Sequence, residues 1–296
     1  MTSGRDLPSL VRWAREAEDA GFDSVMISEH IVLGPSAGAN GIMPNPREYA
    51  LPGNQDPATP WPSSLVLLSA IAAVTERIRL VAGAVIAPLR HPLLIARELG
   101  SLDLLSGGRL VVLPTVSWLE EEYAALGVPF RSRGDLLDEH LEAWATAWRD
   151  TPASYAGAHY SFREVYFEPK AFRPEGPALW LGGAGMHRRM TERIVRYADG
   201  FNPLGRPSAE EMRRLDGALR AAGRDLAGLE LVGGTRAVFP DDRSVADLGQ
   251  ALATIPPQVA AGFTTFCIKP SQFTDDPRDV GRLCRDVVRR VDGMLP

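Results

Sequence analysis

The hydrophobic positions of this sequence follow two periods in turn. Between residues 6 and 20, Leu7, Leu10, Val11, Ala14 and Ala17 share one face, with Arg12, Arg15, Glu16, Glu18 and Asp19 elsewhere. That 3.6-residue period predicts an amphipathic helix, and Gly21 supplies its stop. The run Ser24-Val-Met-Ile27 then predicts a short buried strand ending at Ser28-Glu29-His30. The same succession repeats down the chain. Helical patterns cover 62–74, 93–105, 119–126, 135–148, 188–197, 209–222, 245–254 and 278–291. Strand patterns cover 79–86, 110–116, 178–181, 200–202, 229–239 and 262–268. Two stretches show no period: 34–60, rich in Gly, Pro and Asn, and 151–177, rich in aromatics and proline.

Alternating strands and helices predict a parallel sheet with helices outside it. Runs such as Arg79-Leu-Val-Ala-Gly-Ala-Val-Ile86 are apolar on both faces, as such a sheet requires. The strand patterns number seven, and a (β/α)8 barrel needs eight. Because the sequence opens on a helix, the strand apparently missing is the first. The reading is a TIM-type barrel forming a single domain over 1–296, with 34–60 and 151–177 as insertions. A doubly wound open sheet is the structural alternative, although no Gly-x-Gly-x-x-Gly follows a first strand.

Composition narrows the classes. The chain has 296 residues, 45% hydrophobic, and a formal net charge of -5. That balance offers no nucleic-acid footprint. No apolar run is long enough for a membrane span, and no signal-peptide pattern opens the sequence. Cys267 and Cys284 are too few and too far apart for a disulfide framework, so a cytoplasmic protein with two buried thiols is expected. Lys170 and Lys269 are the only lysines; the rest of the 32 basic residues are arginine, as GC-rich coding produces.

In a parallel barrel, ligands bind where strands end. The first strand delivers Glu29 and His30. His30 is the candidate for proton transfer, because an imidazole titrates near neutrality; Glu29 is the second catalytic candidate. The strand at 110–116 ends in Thr115, Ser117 and Trp118. The strand at 178–181 runs into Gly182-Gly183-Ala184-Gly185, followed by Arg188 and Arg189 in the first turn of a helix. Glycine amides, a helix N-terminus and arginine forks together suit a phosphate. His91 precedes a proline at a helix start and reads as structural, as do His140 and His159. No metal-ligand spacing and no Gly-x-Ser-x-Gly elbow is present, which points to a cofactor that carries the chemistry itself.

Four stretches, 14–30, 75–109, 119–144 and 179–203, resemble the luciferase-like monooxygenase family, in order and at its spacing. The likeness is closer to the branch that uses coenzyme F420. The resemblance implies a barrel, often homodimeric, with a flavin or deazaflavin at the strand ends. It implies that Glu29 and His30 approach the reactive ring. It implies a bulge with a non-prolyl cis peptide around Gly83, Ala84 and Val85, and a phosphate held by Gly182 to Gly185. Asp199-Gly200-Phe201 matches a family signature at the rim.

Two departures stand out. Family members commonly end the strand before the Trp as Gly-x-Gly-x-Gly-Trp, whereas this chain has Leu113-Pro-Thr-Val-Ser-Trp118. Members also commonly open on a strand absent here, so a start further upstream is expected. The leading expectation is an F420-dependent oxidoreductase acting on a small organic substrate. An FMN-dependent monooxygenase supplied by a partner reductase is the alternative, and a non-catalytic cofactor-binding relative is the third.

Overall fold

The computed structural model describes residues 6–49 and 51–294. The helices are α1 (Leu7–Ala20), α2 (Ser64–Ala72), α3 (Pro92–Leu105), α4 (Glu120–Ala125), α5 (Arg133–Arg149), α6 (Arg188–Tyr197), α7 (Ala209–Ala221), α8 (Leu248–Leu252), α9 (Ile255–Ala260) and α10 (Val280–Asp292). The strands are β1 (Ser24–Ile27), β2 (Arg79–Ile86), β3 (Leu110–Thr115), β4 (Ala153–Ala156), β5 (Ser161–Val165), β6 (Ala178–Leu181), β7 (Gly200–Phe201), β8 (Glu230–Gly234) and β9 (Thr265–Cys267). Apart from the antiparallel hairpin β4–β5, the pairings given for these strands are parallel, so the fold is α/β with helices between parallel strands. The expectation that the opening strand is missing concerns residues outside the described ones.

Contacts divide the chain into two compact units. The first comprises Asp23–Ser36 and Pro60–Trp180. Here β2 lies between β1 and β3, pairing Ser24 with Arg79 and Leu80 with Leu110, and β3 continues onto β6 through Val111 and Ala178. Leu80, Val81, Ala82, Leu110 and Val112 are fully enclosed, as a central parallel strand flanked on both faces demands. α5 packs on α3 through Trp144 and Trp148, whose indole N–H groups donate to the Pro92 and Ala96 carbonyls at 3.1 and 3.3 Å. Arg109 closes the C-terminal end of α2, donating to the Ala72 carbonyl that ends the helix and to the Thr75 and Ile78 carbonyls of the segment that follows.

The second unit holds the residues up to Phe22, Ala37–Thr59 and everything from Leu181 onward. β7, β8 and β9 are parallel here, with Gly200 opposite Glu230 and Val232 opposite Thr265. Leu181, Ile194, Phe201, Leu215, Leu219 and Leu231 form one core. α1 begins at Asp6, whose carboxylate accepts from the Ser9 amide, and ends at Gly21 with φ 98°.

Three sequence expectations shift. The segment 151–177 contains the hairpin β4–β5. Its turn is held by the Glu139 carboxylate, which accepts from the amides of Ala158, His159 and Tyr160 at 2.9–3.0 Å. β8 stops at Gly234 instead of 239, because Val238, which lengthened the apolar run, lies exposed. The helix expected over 245–254 is α8 followed by α9. Pro256 and Pro257 have no amide hydrogen and fit only a first turn, so a new helix starts there.

Trp144→Ala is expected to cost about 3–5 kcal/mol, from the cavity and the unpaired Pro92 carbonyl together. The midpoint of urea unfolding checks this; a shift equivalent to less than about 1 kcal/mol would contradict the packing described.

Candidate active site

The C-terminal ends of β1, β2 and β3 meet in the unit that holds them. β1 ends at Ile27, and the chain turns through Glu29 and His30. Glu29 is buried and fully occupied. Its Oε1 accepts from the Ile86 amide at 2.9 Å and from Arg90 at 2.8 Å. Its Oε2 accepts from Arg90 at 3.0 Å and from the Ser64 hydroxyl at 2.9 Å. A carboxylate with both oxygens engaged by a bidentate guanidinium holds structure together. It fixes the last residue of β2 against the turn after β1.

β2 itself is irregular where the family resemblance places a bulge. The register with β3 slips between Gly83 and Val85, and the Gly83–Ala84 peptide is cis.

His30 is almost enclosed. Its Nδ1 lies 3.3 Å from Glu122 Oε2, and its ring meets Trp61 edge-on at 5.0 Å and Trp118 edge-on at 6.2 Å. Against a carboxylate acceptor, the neutral ring carries its proton on Nδ1 and leaves the lone pair on Nε2. That is the tautomer a general base needs.

Glu122 is the residue that sequence reasoning missed. It has no exposed side-chain surface. Besides His30, it accepts from the Ile31 amide at 2.5 Å, the Val32 amide at 3.4 Å and the Ser117 hydroxyl at 3.2 Å. The neighbouring Glu121 accepts from the Ser36 amide and hydroxyl at 3.1 and 2.8 Å. The signal was present as Glu120-Glu-Glu122 at a helix start, where acids favour the dipole in any case. Nothing in the string separated the one that faces inward. Trp61 was missed as well, falling between the aperiodic stretch 34–60 and the helix expected from 62. Its indole N–H is buried and has no partner.

Ser117 occupies the last position at which the family commonly has glycine, and its φ is +57°, in the left-handed region. The next turn is fixed by Tyr123, whose hydroxyl donates to the Val116 carbonyl. Burial pushes the Tyr123 phenol well above its ordinary range, so it remains a donor. Thr115 pairs with Ile86 at the end of β3.

The glycine turn lies in the other unit. A Cβ at Gly182 would collide with the Asn202 carbonyl, so this glycine is required by the close passage of the chain after β7. Gly185 is open to solvent on that side. Among the described residues, no hydrogen bond engages the Ala184 or Gly185 amide. Gly183, Ala184 and Gly185 line a shallow depression with Gly205 and Arg206. Arg206 is exposed and has no ion-pair partner among the described residues. Arg188 instead points along α6 to Glu192 at 3.1 Å, and the imidazole of His187 caps α6 by accepting from the Met190 amide. Free amides, an open glycine and an unpaired arginine fit an anionic group. His91 caps α3, accepting from the Leu93 amide at 3.2 Å. Burial pushes the Cys267 and Cys284 thiols up to about 11, so neither is a ready nucleophile. No group of three or more His, Cys, Asp or Glu among the described residues is placed to hold a metal, and no described helix is long and apolar enough to cross a membrane.

The model of the luciferase-like monooxygenase family matches residues 1–266, and the chain belongs to that family. Among particular relatives, it is 35% identical over 217 residues to the uncharacterized protein Rv0953c of Mycobacterium tuberculosis, covering 72% of this chain and 74% of that one. It is 24% identical over 206 residues to the FMNH2-dependent dimethylsulfone monooxygenase of Pseudomonas putida, covering 68% and 56%. Among solved structures, the monooxygenase RslO1 of Streptomyces bottropensis matches with a TM-score of 0.74 at 20% identity, over 99% of this chain and 95% of that one. The coenzyme F420-dependent tetrahydromethanopterin reductase of Methanopyrus kandleri matches with a TM-score of 0.71 at 15% identity, over 97% and 96%. Oxidoreductase chemistry with a flavin or deazaflavin follows from the family.

Two substitutions test the corner. Ser117→Gly relieves the left-handed backbone that Ser117→Ala retains, while both lose the hydroxyl. The glycine variant is therefore expected to be more stable than the alanine variant by about 1 kcal/mol, measured by urea unfolding. Glu122→Ala strips the Ile31 amide of its acceptor and is expected to cost about 1–3 kcal/mol on the same measurement. Equal stability of the two Ser117 variants, or an unchanged Glu122→Ala, would contradict this geometry.

Proposed function

We propose that this chain is an oxidoreductase that uses coenzyme F420 for hydride transfer to or from a small organic substrate, with His30 moving the accompanying proton. The reading takes 1–296 as one domain and its parallel strands as those of a (β/α)8 barrel. The observation that carries it is the His30–Glu122 pair: a nearly enclosed imidazole, its tautomer set by a buried carboxylate, between two indoles.

When bound, the deazaflavin supplies the carbon that accepts or donates hydride. The chain's residues do the rest. His30 Nε2 takes a proton from a substrate hydroxyl or returns one to a carbonyl oxygen, while Glu122 keeps the ring oriented and stabilises its charged form. Trp61 and Trp118 keep water from the imidazole. The unpartnered Trp61 N–H is a donor that a ligand oxygen or nitrogen would satisfy. Gly83, Ala84, Val85, Thr115, Ser117 and Trp118 are assigned to the ring. Gly182, Gly183, Ala184 and Gly185 are assigned to the phosphate. Arg206 joins them in place of Arg188, and Arg189 remains a candidate of the same class. Glu29 is assigned a holding role beside the catalytic His30.

A second reading is supported by the similarity to an FMNH2-dependent enzyme: a monooxygenase using reduced FMN delivered by a separate reductase. A homodimer in the cytoplasm is the expected form under either reading. The F420 reading is tested by titrating the protein with F420 and, separately, with FMN, followed by fluorescence. Binding of F420 in preference to FMN is expected, and binding of FMN alone moves the assignment to the second reading. With the preferred cofactor, His30→Gln is expected to lower kcat by about 10²–10⁴-fold while leaving the cofactor's Kd within about threefold. Undiminished turnover in that variant would remove His30 from the mechanism.

A further inference from the structure

We infer that His140 is a positioning residue whose protonated ring ties α5 to the Arg90 carbonyl and, through Arg90, steadies Glu29 and the end of β2. The inference rests on the Glu29–His30 corner as the active site only for its bearing on turnover; the linkage itself is a property of the fold.

The argument begins with a count of donors. His140 is completely buried. Its Nδ1 lies 2.6 Å from the Leu136 carbonyl and its Nε2 lies 2.9 Å from the Arg90 carbonyl. A carbonyl oxygen only accepts. A neutral imidazole has one N–H and one lone pair, so it can satisfy one of these contacts and must oppose the other. Only the imidazolium donates to both. The geometry is therefore that of the charged ring.

The surroundings resist that charge. Burial pushes the His140 pKa below the ordinary 6.5, and the two carbonyl bonds offset this only in part. The charged and titratable groups around it are few. On α5, Glu139 favours the charged ring, but its carboxylate is engaged by the hairpin amides. From the hairpin, the Tyr160 ring stands perpendicular to the imidazole at 5.2 Å, and burial raises its phenol above the usual range. From the turn before α3, His91 opposes the charge and Arg90 turns its guanidinium away to Glu29. The Trp144 ring closes the remaining side at 5.8 Å. The two-bond state therefore forms as pH falls, with a midpoint below the ordinary 6.5. On the neutral side one carbonyl is released.

Release at Arg90 reaches the site in two steps. The Arg90 side chain holds both Glu29 oxygens at 2.8 and 3.0 Å, and Glu29 Oε1 holds the Ile86 amide at 2.9 Å. Ile86 closes β2 beside the bulge. The amide of Ile86 is thus a reporter for His140.

The experiment records ring-nitrogen NMR of the five histidines, assigned by single His→Gln variants, together with the Ile86 amide across pH. One histidine is expected to acquire two ring protons with a midpoint below 6.5, and its signal should vanish in His140→Gln. The Ile86 amide is expected to shift with the same midpoint in the wild type and in His30→Gln, and to lose that shift in His140→Gln. If His140→Gln does not fold, agreement of the two midpoints in the wild type and in His30→Gln decides. A His140 ring that stays singly protonated down to acid unfolding, or an Ile86 amide indifferent to its titration, overturns the inference. No cofactor enters the readout, so a failure to bind F420 or FMN would sink the functional reading and leave this result standing.

Discussion

The site corner depends on burying one carboxylate. Glu122 is enclosed without solvent, and an unpaired charge there would cost several kcal/mol. Two elements discharge that cost by bringing it donors: the turn after β1 brings the Ile31 and Val32 amides and the His30 ring, and the turn after β3 brings the Ser117 hydroxyl. Each of those groups is thereby placed. The chain after β1 cannot relax outward without orphaning the carboxylate, and His30 cannot turn without losing its partner. The same interaction that satisfies Glu122 sets the imidazole tautomer, so stability and chemistry are one arrangement here.

The two buried acids divide the labour. Glu29, beside the histidine in sequence, is saturated by Arg90, Ser64 and the Ile86 amide and has no lone pair directed at a reactant. Glu122, ninety-two positions from His30, is the one that meets it. Neighbours along a turn point in different directions, and the carboxylate that meets His30 comes from α4, beyond α2 and α3. The guanidinium that neutralises Glu29 belongs to a residue whose carbonyl faces His140. The second layer of the site is therefore built from α5, an element that offers the corner no side chain of its own.

This explains what the sequence could and could not tell. Among the described residues the central parallel strands were legible, because strands buried on both faces are written as unbroken apolar runs such as Leu80–Ile86. The place of His30 just past the end of β1 was legible, because the strand pattern at 24–27 stops before it. The hairpin at 153–165 was not, since its turn is held by Glu139 on a distant helix rather than by its own turn residues. Glu122 was hidden among three identical residues at a helix start. Arg206 was hidden because Arg188 and Arg189 follow the glycine turn directly, and only the fold shows Arg188 extending along α6. Long-range partners of this kind leave no local period or motif.

The end of β3 shows how far a departure from family pattern alters a site. Where glycines are common, this chain has Leu113, Thr115 and Ser117. The backbone at Ser117 is nonetheless left-handed, the conformation glycine adopts at no steric cost. The path of the chain has therefore been kept at a conformational cost, and the change is confined to what the side chain adds. At Ser117 that addition is a hydroxyl turned back onto Glu122, where it completes the carboxylate's set of donors. It strengthens the hold on His30 rather than reaching outward. Thr115 stands at the last rung of the ladder with Ile86. The departure from glycine thus leaves the His30–Glu122 contact intact.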